Sequence, residues 1–177
     1  MTRVLAYTSP ARGHLFPIVP VLDALQRRGQ EIAVRTLAKE VAMLRARGFE
    51  AAPIAAAVER LPLEDYRARS PLQAQASAIG TFRARAAHDA ADLREAIEAA
   101  QPEAVLVDIN CWGAQAEAEA WGGPWAMWCP YPLPLPSRDA PPFGPGLPPA
   151  RGAAAACAMQ CYRGSCRAWS SGRSSLR

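Results

Sequence analysis

The hydrophobic positions of this chain alternate between two periods over its first 130 residues. Residues 4–8, Val-Leu-Ala-Tyr-Thr, form a short apolar run of the kind a strand buried on both faces carries. Ile18, Val21, Leu22 and Leu25 then recur at helical spacing, with Pro17 and Pro20 read as belonging to a first turn, where the missing N–H is tolerated. Arg27, Arg28 and Gly29 supply a basic last turn and a glycine stop. The alternation repeats: a strand over 31–36, a helix over 38–47 closed by Gly48, and a strand over 49–54. Residues 55–70 lose the periodicity and contain Pro62, which predicts a loop. A long helix follows over 71–100, carrying Leu72, Ala76, Ile79, Phe82, Ala86, Leu93 and Ile97 at helical spacing. A strand over 103–108, a helix over 111–121 and a strand over 125–129 complete the pattern.

Strands alternating with helices in this way predict a parallel sheet covered by helices on both faces, a Rossmann-like α/β domain occupying 1–150. Past residue 129 the character changes. Residues 130–149 contain nine prolines and read as an irregular extended loop. Residues 151–177 are rich in Arg, Ser, Ala and Cys, hold no acid and show no period, so they are expected to form an irregular tail without stable order. The compositional break near Arg151 and Gly152 reads like translation in a shifted frame of GC-rich DNA.

Charge follows the same boundary. The formal net charge is +4, yet residues 1–140 hold 15 Lys+Arg against 16 Asp+Glu, and residues 141–177 hold five Arg and no acid. The folded part has no basic face, which argues against nucleic acid as a partner. Arg3 interrupts the opening apolar run, and no apolar segment is long enough to cross a bilayer. The expectation is a soluble, cytoplasmic protein without a membrane partner. The five cysteines point to no metal and no disulfide framework. Cys111 and Cys129 lie in apolar surroundings, as small buried hydrophobes do, while Cys157, Cys161 and Cys166 match no zinc spacing and have no nearby histidine.

In an open parallel sheet, ligands gather outside the carboxyl ends of the strands. Two polar residues fall at such ends: His14 after the first strand and Asp108 at the end of the fourth. The loop Ser9-Pro10-Ala11-Arg12-Gly13-His14 has a single glycine, so it is neither a dinucleotide fingerprint nor a Walker loop. A histidine there is suited to taking a proton from a substrate hydroxyl, since imidazole changes charge near neutral pH. A carboxylate on its other nitrogen would fix the tautomer and stabilise the imidazolium. The same two residues also suit a plainer use, His14 capping the first helix and Asp108 the one near Cys111. His88, close to Asp89 and Asp92, reads as part of an ordinary solvated helix surface.

Ser9-Pro10-Ala11-Arg12-Gly13-His14-Leu15-Phe16-Pro17 resembles the opening of GT-B glycosyltransferases, more narrowly the bacterial enzymes that decorate macrolides, enediynes, glycopeptides and similar natural products. A second match is Val105-Leu106-Val107-Asp108, with Cys111-Trp112-Gly113-Ala114, Ala118-Glu119-Ala120 and Gly123-Pro124-Trp125-Ala126 behind it. A third is Pro141-Pro142-Phe143-Gly144-Pro145-Gly146-Leu147. The matches run in order from residue 3 to about residue 150.

The resemblance implies that His14 is the general base on the acceptor hydroxyl and that Asp108 orients it. It implies inverting displacement at the sugar's anomeric carbon, a nucleoside diphosphate leaving, and no essential metal or other cofactor. The partner implied is a small hydroxylated acceptor, in a cleft walled by residues 55–70, the start of the long helix and the segment 128–143. Trp112, Trp128 and Phe143 would supply flat apolar contact to it. Nothing here resembles the second GT-B domain, which holds the nucleotide sugar; that donor becomes a partner only if such a domain is supplied. The chain is therefore expected to be an acceptor-binding N-terminal part, truncated and inactive alone. A half of a split transferase and a non-enzymatic α/β binding or helper protein are the alternatives.

Overall fold

The computed structural model describes residues 2–131. The proline-rich stretch beyond Tyr131, Phe143, the three distal cysteines and the tail 151–177 lie outside the described residues.

Five parallel strands form one sheet: β1 (Arg3–Tyr7), β2 (Glu31–Thr36), β3 (Glu50–Pro53), β4 (Ala104–Asp108) and β5 (Trp125–Trp128), in the order β3-β2-β1-β4-β5. Successive side chains of a strand point to opposite faces, and the core divides accordingly. Val4 and Ala6 of β1 join Ile32 and Val34 against Leu15, Ile18, Val19 and Leu22 of α1 (Arg12–Arg27) and Val41 and Leu44 of α2 (Val41–Ala46). Leu5 and Tyr7 join Val105 and Val107 on the other face. There they meet Leu93, Ala96 and Ile97 of α4 (Pro71–Ala100) and Ala114 and Ala118 of α5 (Trp112–Trp121). The expected Rossmann-like α/β architecture is the observed one.

Three local expectations differ from what is found. Helix α1 starts at Arg12, so Pro17 and Pro20 sit inside it instead of in its first turn. An interior proline removes the bond to the carbonyl four residues back. Here those carbonyls belong to Gly13 and Phe16, which are exposed like both prolines, so water can serve them while the apolar stripe keeps the helix continuous. The stretch 55–70 is not all loop: it forms α3 (Ala56–Glu59), which buries Val58, and a 3₁₀ turn at Asp65–Arg67. The apolar spacing of α4 is also used unevenly. Leu72 and Ile79 are exposed, whereas Arg85, Asp89 and Asp92 are buried with Leu93 and Ile97. His88 is exposed, but its neighbours Asp89 and Asp92 are not solvated as the spacing implied.

Gly113 sets how closely α5 lies on α4. A Cβ on it would run into the main-chain carbonyl of Ala86, so only glycine permits that approach. No helix among the described residues is long and apolar enough to cross a membrane.

Candidate active site

The strand order reverses direction between β1 and β4, the place where an open α/β sheet leaves a crevice at its carboxyl edge. The chain leaves β1 through Thr8 and Ser9, both buried, and enters α1 at Arg12. His14 is therefore in the first turn of α1, above the end of β1. Asp108 is the last residue of β4 and is fully buried. The side chains meet: His14 Nδ1 lies 2.8 Å from Asp108 Oδ2 and 3.0 Å from Oδ1.

Helix capping does not account for them. The N-cap of α1 is Ala11 and that of α5 is Cys111, and neither helix start has a side-chain cap. Asp108 instead turns its carboxylate to His14 and to the backbone N–H of Asn110, which donates to Oδ1 at 2.9 Å. Its main-chain carbonyl accepts from Cys111 N, and Gln115 Nε2 donates to the carbonyls of Asp108 and Ile109 at 3.1 and 2.8 Å. Gln115 thus holds the turn behind the carboxylate.

The buried carboxylate fixes the chemistry of the ring. An ionised carboxylate only accepts, so Nδ1 carries the hydrogen and, in the neutral ring, Nε2 keeps the lone pair. Asn110 Nδ2 lies 3.2 Å from Nε2, and Tyr131 Oη donates to Asn110 Oδ1 at 3.2 Å. The Tyr131 ring stands edge-on to the imidazole, with centroids 5.8 Å apart. Burial, with Cys129 and Asp108 nearby, pushes the Tyr131 hydroxyl up to about 12, so it remains a donor at neutral pH. The imidazole is mostly covered, with 15 % of its side chain exposed.

Of the other expected contacts, Trp128 is beside His14 and Trp112 is engaged elsewhere. Trp128 Nε1 donates to the main-chain carbonyl of His14 at 3.3 Å, tying the end of β5 to the first turn of α1. Trp112 is partly exposed at the start of α5, edge-to-face with Phe82 at 5.4 Å. Phe143 lies outside the described residues. Asn110 and Tyr131 were missed by the sequence reading. Asn110 carried a usable signal, a short polar side chain two residues past a carboxylate at a strand end; Tyr131 lay in a proline-rich stretch without periodicity.

A second polar group lies beneath the site. Tyr7 donates to Asp92 Oδ2, and Arg85 donates to the carbonyl of Leu61. Neither carboxylate oxygen of Asp89 has a hydrogen-bond partner among the described residues. Burial, partly opposed by Arg85, pushes the Asp89 carboxyl up to about 7. Desolvation beside Asp108 and Asp89 likewise raises the Cys111 thiol, so it stays protonated and unreactive. Among the described residues no cluster of three or more His, Cys, Asp or Glu side chains gathers as a metal site.

A five-stranded parallel sheet with a histidine–aspartate pair at its switch point has the fold of the N-terminal domain of a GT-B glycosyltransferase. Its structural neighbours are bacterial natural-product glycosyltransferases. The glycosyltransferase of kitacinnamycin superposes with a TM-score of 0.60 at 23 % identity, covering 75 % of this chain and 31 % of that one. The Streptomyces sp. SF2575 glycosyltransferase SsfS6 gives 0.59 at 18 % identity, covering 72 % and 39 %. A 34-residue segment is 62 % identical to the elloramycin glycosyltransferase ElmGT of Streptomyces olivaceus, which is 19 % of this chain and 9 % of that protein. The chain spans well under half the length of each. No family model matches it.

Proposed function

We propose that this chain is the acceptor-binding part of an inverting glycosyltransferase that moves a sugar from a nucleotide donor to a hydroxyl of a small natural product. The observation that carries the reading is the contact of His14 Nδ1 with the buried carboxylate of Asp108, which leaves Nε2 as the proton acceptor at the rim of the sheet. In the transfer, the acceptor hydroxyl gives its proton to Nε2 while its oxygen bonds to the anomeric carbon from the face opposite the diphosphate. The carbon–oxygen bond to the diphosphate breaks and the nucleoside diphosphate leaves. Asp108, itself fully buried, offsets the charge that forms on the imidazole.

Donor binding falls to a second domain, as the likeness to the much longer neighbours implies. One of those neighbours is a complex with thymidine diphosphate. Trp128 and Phe143 are proposed as acceptor walls; Trp112, packed on Phe82, is left out of that proposal. The test joins residues 1–150 to the C-terminal half of SsfS6 and supplies thymidine-diphosphate sugars with a panel of polyketide and phenolic acceptors. Mass spectrometry should detect a glycoside, and His14→Ala should lower turnover by roughly 10²- to 10⁴-fold, the scale of a general base. A product formed equally fast without His14 overturns the reading.

A further inference from the structure

We propose that Asn110 is a positioning residue that occupies the acceptor hydroxyl's place on His14 Nε2 in the unliganded chain, its amide oriented by Tyr131. The part of this concerning an acceptor rests on the proposed function; the hydrogen-bond arrangement does not.

The Asp108 carboxylate is fully buried and can only accept, so His14 Nδ1 donates to it. Nε2 of the neutral ring then has a lone pair to offer. The atom facing it must donate, and that atom is Asn110 Nδ2 at 3.2 Å. The amide is thereby oriented, and its Oδ1 faces Tyr131, whose hydroxyl donates at 3.2 Å. Donor and acceptor roles fit at every link from Tyr131 through Asn110 and His14 to Asp108. The main chain of Asn110 is fixed as well, by the bond from its N–H to Asp108 Oδ1. The same carboxylate thus places both the imidazole and the residue covering it, and Asn110 is itself 8 % exposed.

Two consequences follow for the proposed transfer. A free histidine side chain favours the opposite tautomer, with hydrogen on Nε2, which leaves no lone pair at Nε2 to take a proton. Asn110 adds a donor on Nε2 and so strengthens the choice that Asp108 makes from the other side. An acceptor hydroxyl has to replace the amide on Nε2, and the displaced NH₂ then needs a new partner, because an unpaired buried donor is costly. The incoming hydroxyl oxygen can itself be that partner, because it keeps two lone pairs while its O–H donates to Nε2.

The test uses the whole chain without turnover. It contains only two histidines, His14 and His88, so long-range ¹H–¹⁵N spectra of the imidazoles are simple to assign. In the wild type, His14 should show hydrogen on Nδ1 and an Nε2 resonance displaced upfield by an incoming hydrogen bond. Asn110→Ala should move Nε2 downfield towards the value of a free lone pair and raise the share of the other tautomer. Tyr131→Phe, which removes one oxygen atom and is the milder change, should move Nε2 the same way by less. His88 serves as the control and should not move. Hydrogen on Nε2 in the wild type, or a His14 spectrum indifferent to both substitutions, overturns the proposal. That result would leave the transferase reading open to its own test, and failure of transfer would leave the spectra unaffected.

Discussion

Tyr7 Oη donates to Asp92 Oδ2 at 2.9 Å, across the interface between β1 and α4. The same oxygen accepts from the backbone N–H of Ala55 at 2.8 Å, where the chain turns towards α3. One carboxylate therefore ties the central strand, the long helix and the segment after β3 together. Burial, with Asp92 and Asp89 nearby, pushes the Tyr7 hydroxyl well above its ordinary range, so it remains a donor at neutral pH.

Tyr7→Phe keeps the ring and deletes the donor. Asp92 would retain only the bond from Ala55 N, and a buried carboxylate short of a partner is destabilising by about 1–3 kcal/mol. Urea melts of the two proteins should show that loss as a lower midpoint at unchanged slope. An identical midpoint would mean that the bond contributes nothing net to stability.

Asp89 should make the fold weaken as pH rises. Its folded carboxyl is raised to about 7 by burial, above the ordinary carboxylate range of an unfolded chain. Between roughly pH 4 and pH 7 the unfolded chain has released this proton and the folded chain still holds it, so stability falls with pH across that window. Asp89→Asn removes the titration. Relative to the wild type, the variant should gain stability between pH 5 and pH 8, by on the order of a few kcal/mol. Melts at both pH values check it, since other groups cancel in the difference. A difference independent of pH would show that Asp89 ionises freely.

Gly113→Ala should damage the fold more than its size suggests. The new methyl would meet the main-chain carbonyl of Ala86, which cannot rotate away as a side chain could, so α5 must shift off α4. Overpacking of this kind costs about 1–3 kcal/mol, sometimes more. The melting temperature should drop. The His14 resonances should move with it, because α5 begins just after the Asp108 turn.

The sheet and its helices were legible because each apolar run had one period and a clear stop. The expected strand over 31–36 and helix over 71–100 match β2 and α4 residue for residue. The polar side of α4's buried face was not legible. Arg85, Asp89 and Asp92 are polar by type; the tertiary partner Leu61 accounts for the burial of Arg85, and Tyr7 and Ala55 for that of Asp92, while Asp89 is buried without a hydrogen-bond partner among the described residues. Pro17 and Pro20 misled for a related reason: local rules place proline at a helix start, and here the apolar stripe of α1 and its wet outer face outweigh them. At the site, His14 and Asp108 were found because strand ends can be read from sequence. Their contact was expected only on condition of the strand order, and β1 and β4 do lie side by side although 94 positions part the two residues.

The pair also makes a prediction that distinguishes a working base from a merely buried contact. Asp108 uses both oxygens: Oδ1 takes the N–H of Asn110 and Oδ2 makes the shorter contact to His14 Nδ1. Asp108→Asn leaves one oxygen for two donors. If that oxygen stays with Asn110, the new NH₂ faces Nδ1 and forces the hydrogen onto Nε2, where it blocks proton acceptance. If the oxygen goes to Nδ1, the turn that carries Asn110 loses its backbone bond. Either way, in the joined enzyme, kcat should fall by roughly 10²- to 10⁴-fold, no further than in His14→Ala, which removes the base altogether. KM for the acceptor should change little if, as proposed, its binding rests mainly on apolar contact. Steady-state kinetics with varied acceptor separates the two parameters. A loss confined to KM would make Asp108 a wall of the binding site, and a full rate would leave His14 without need of its carboxylate.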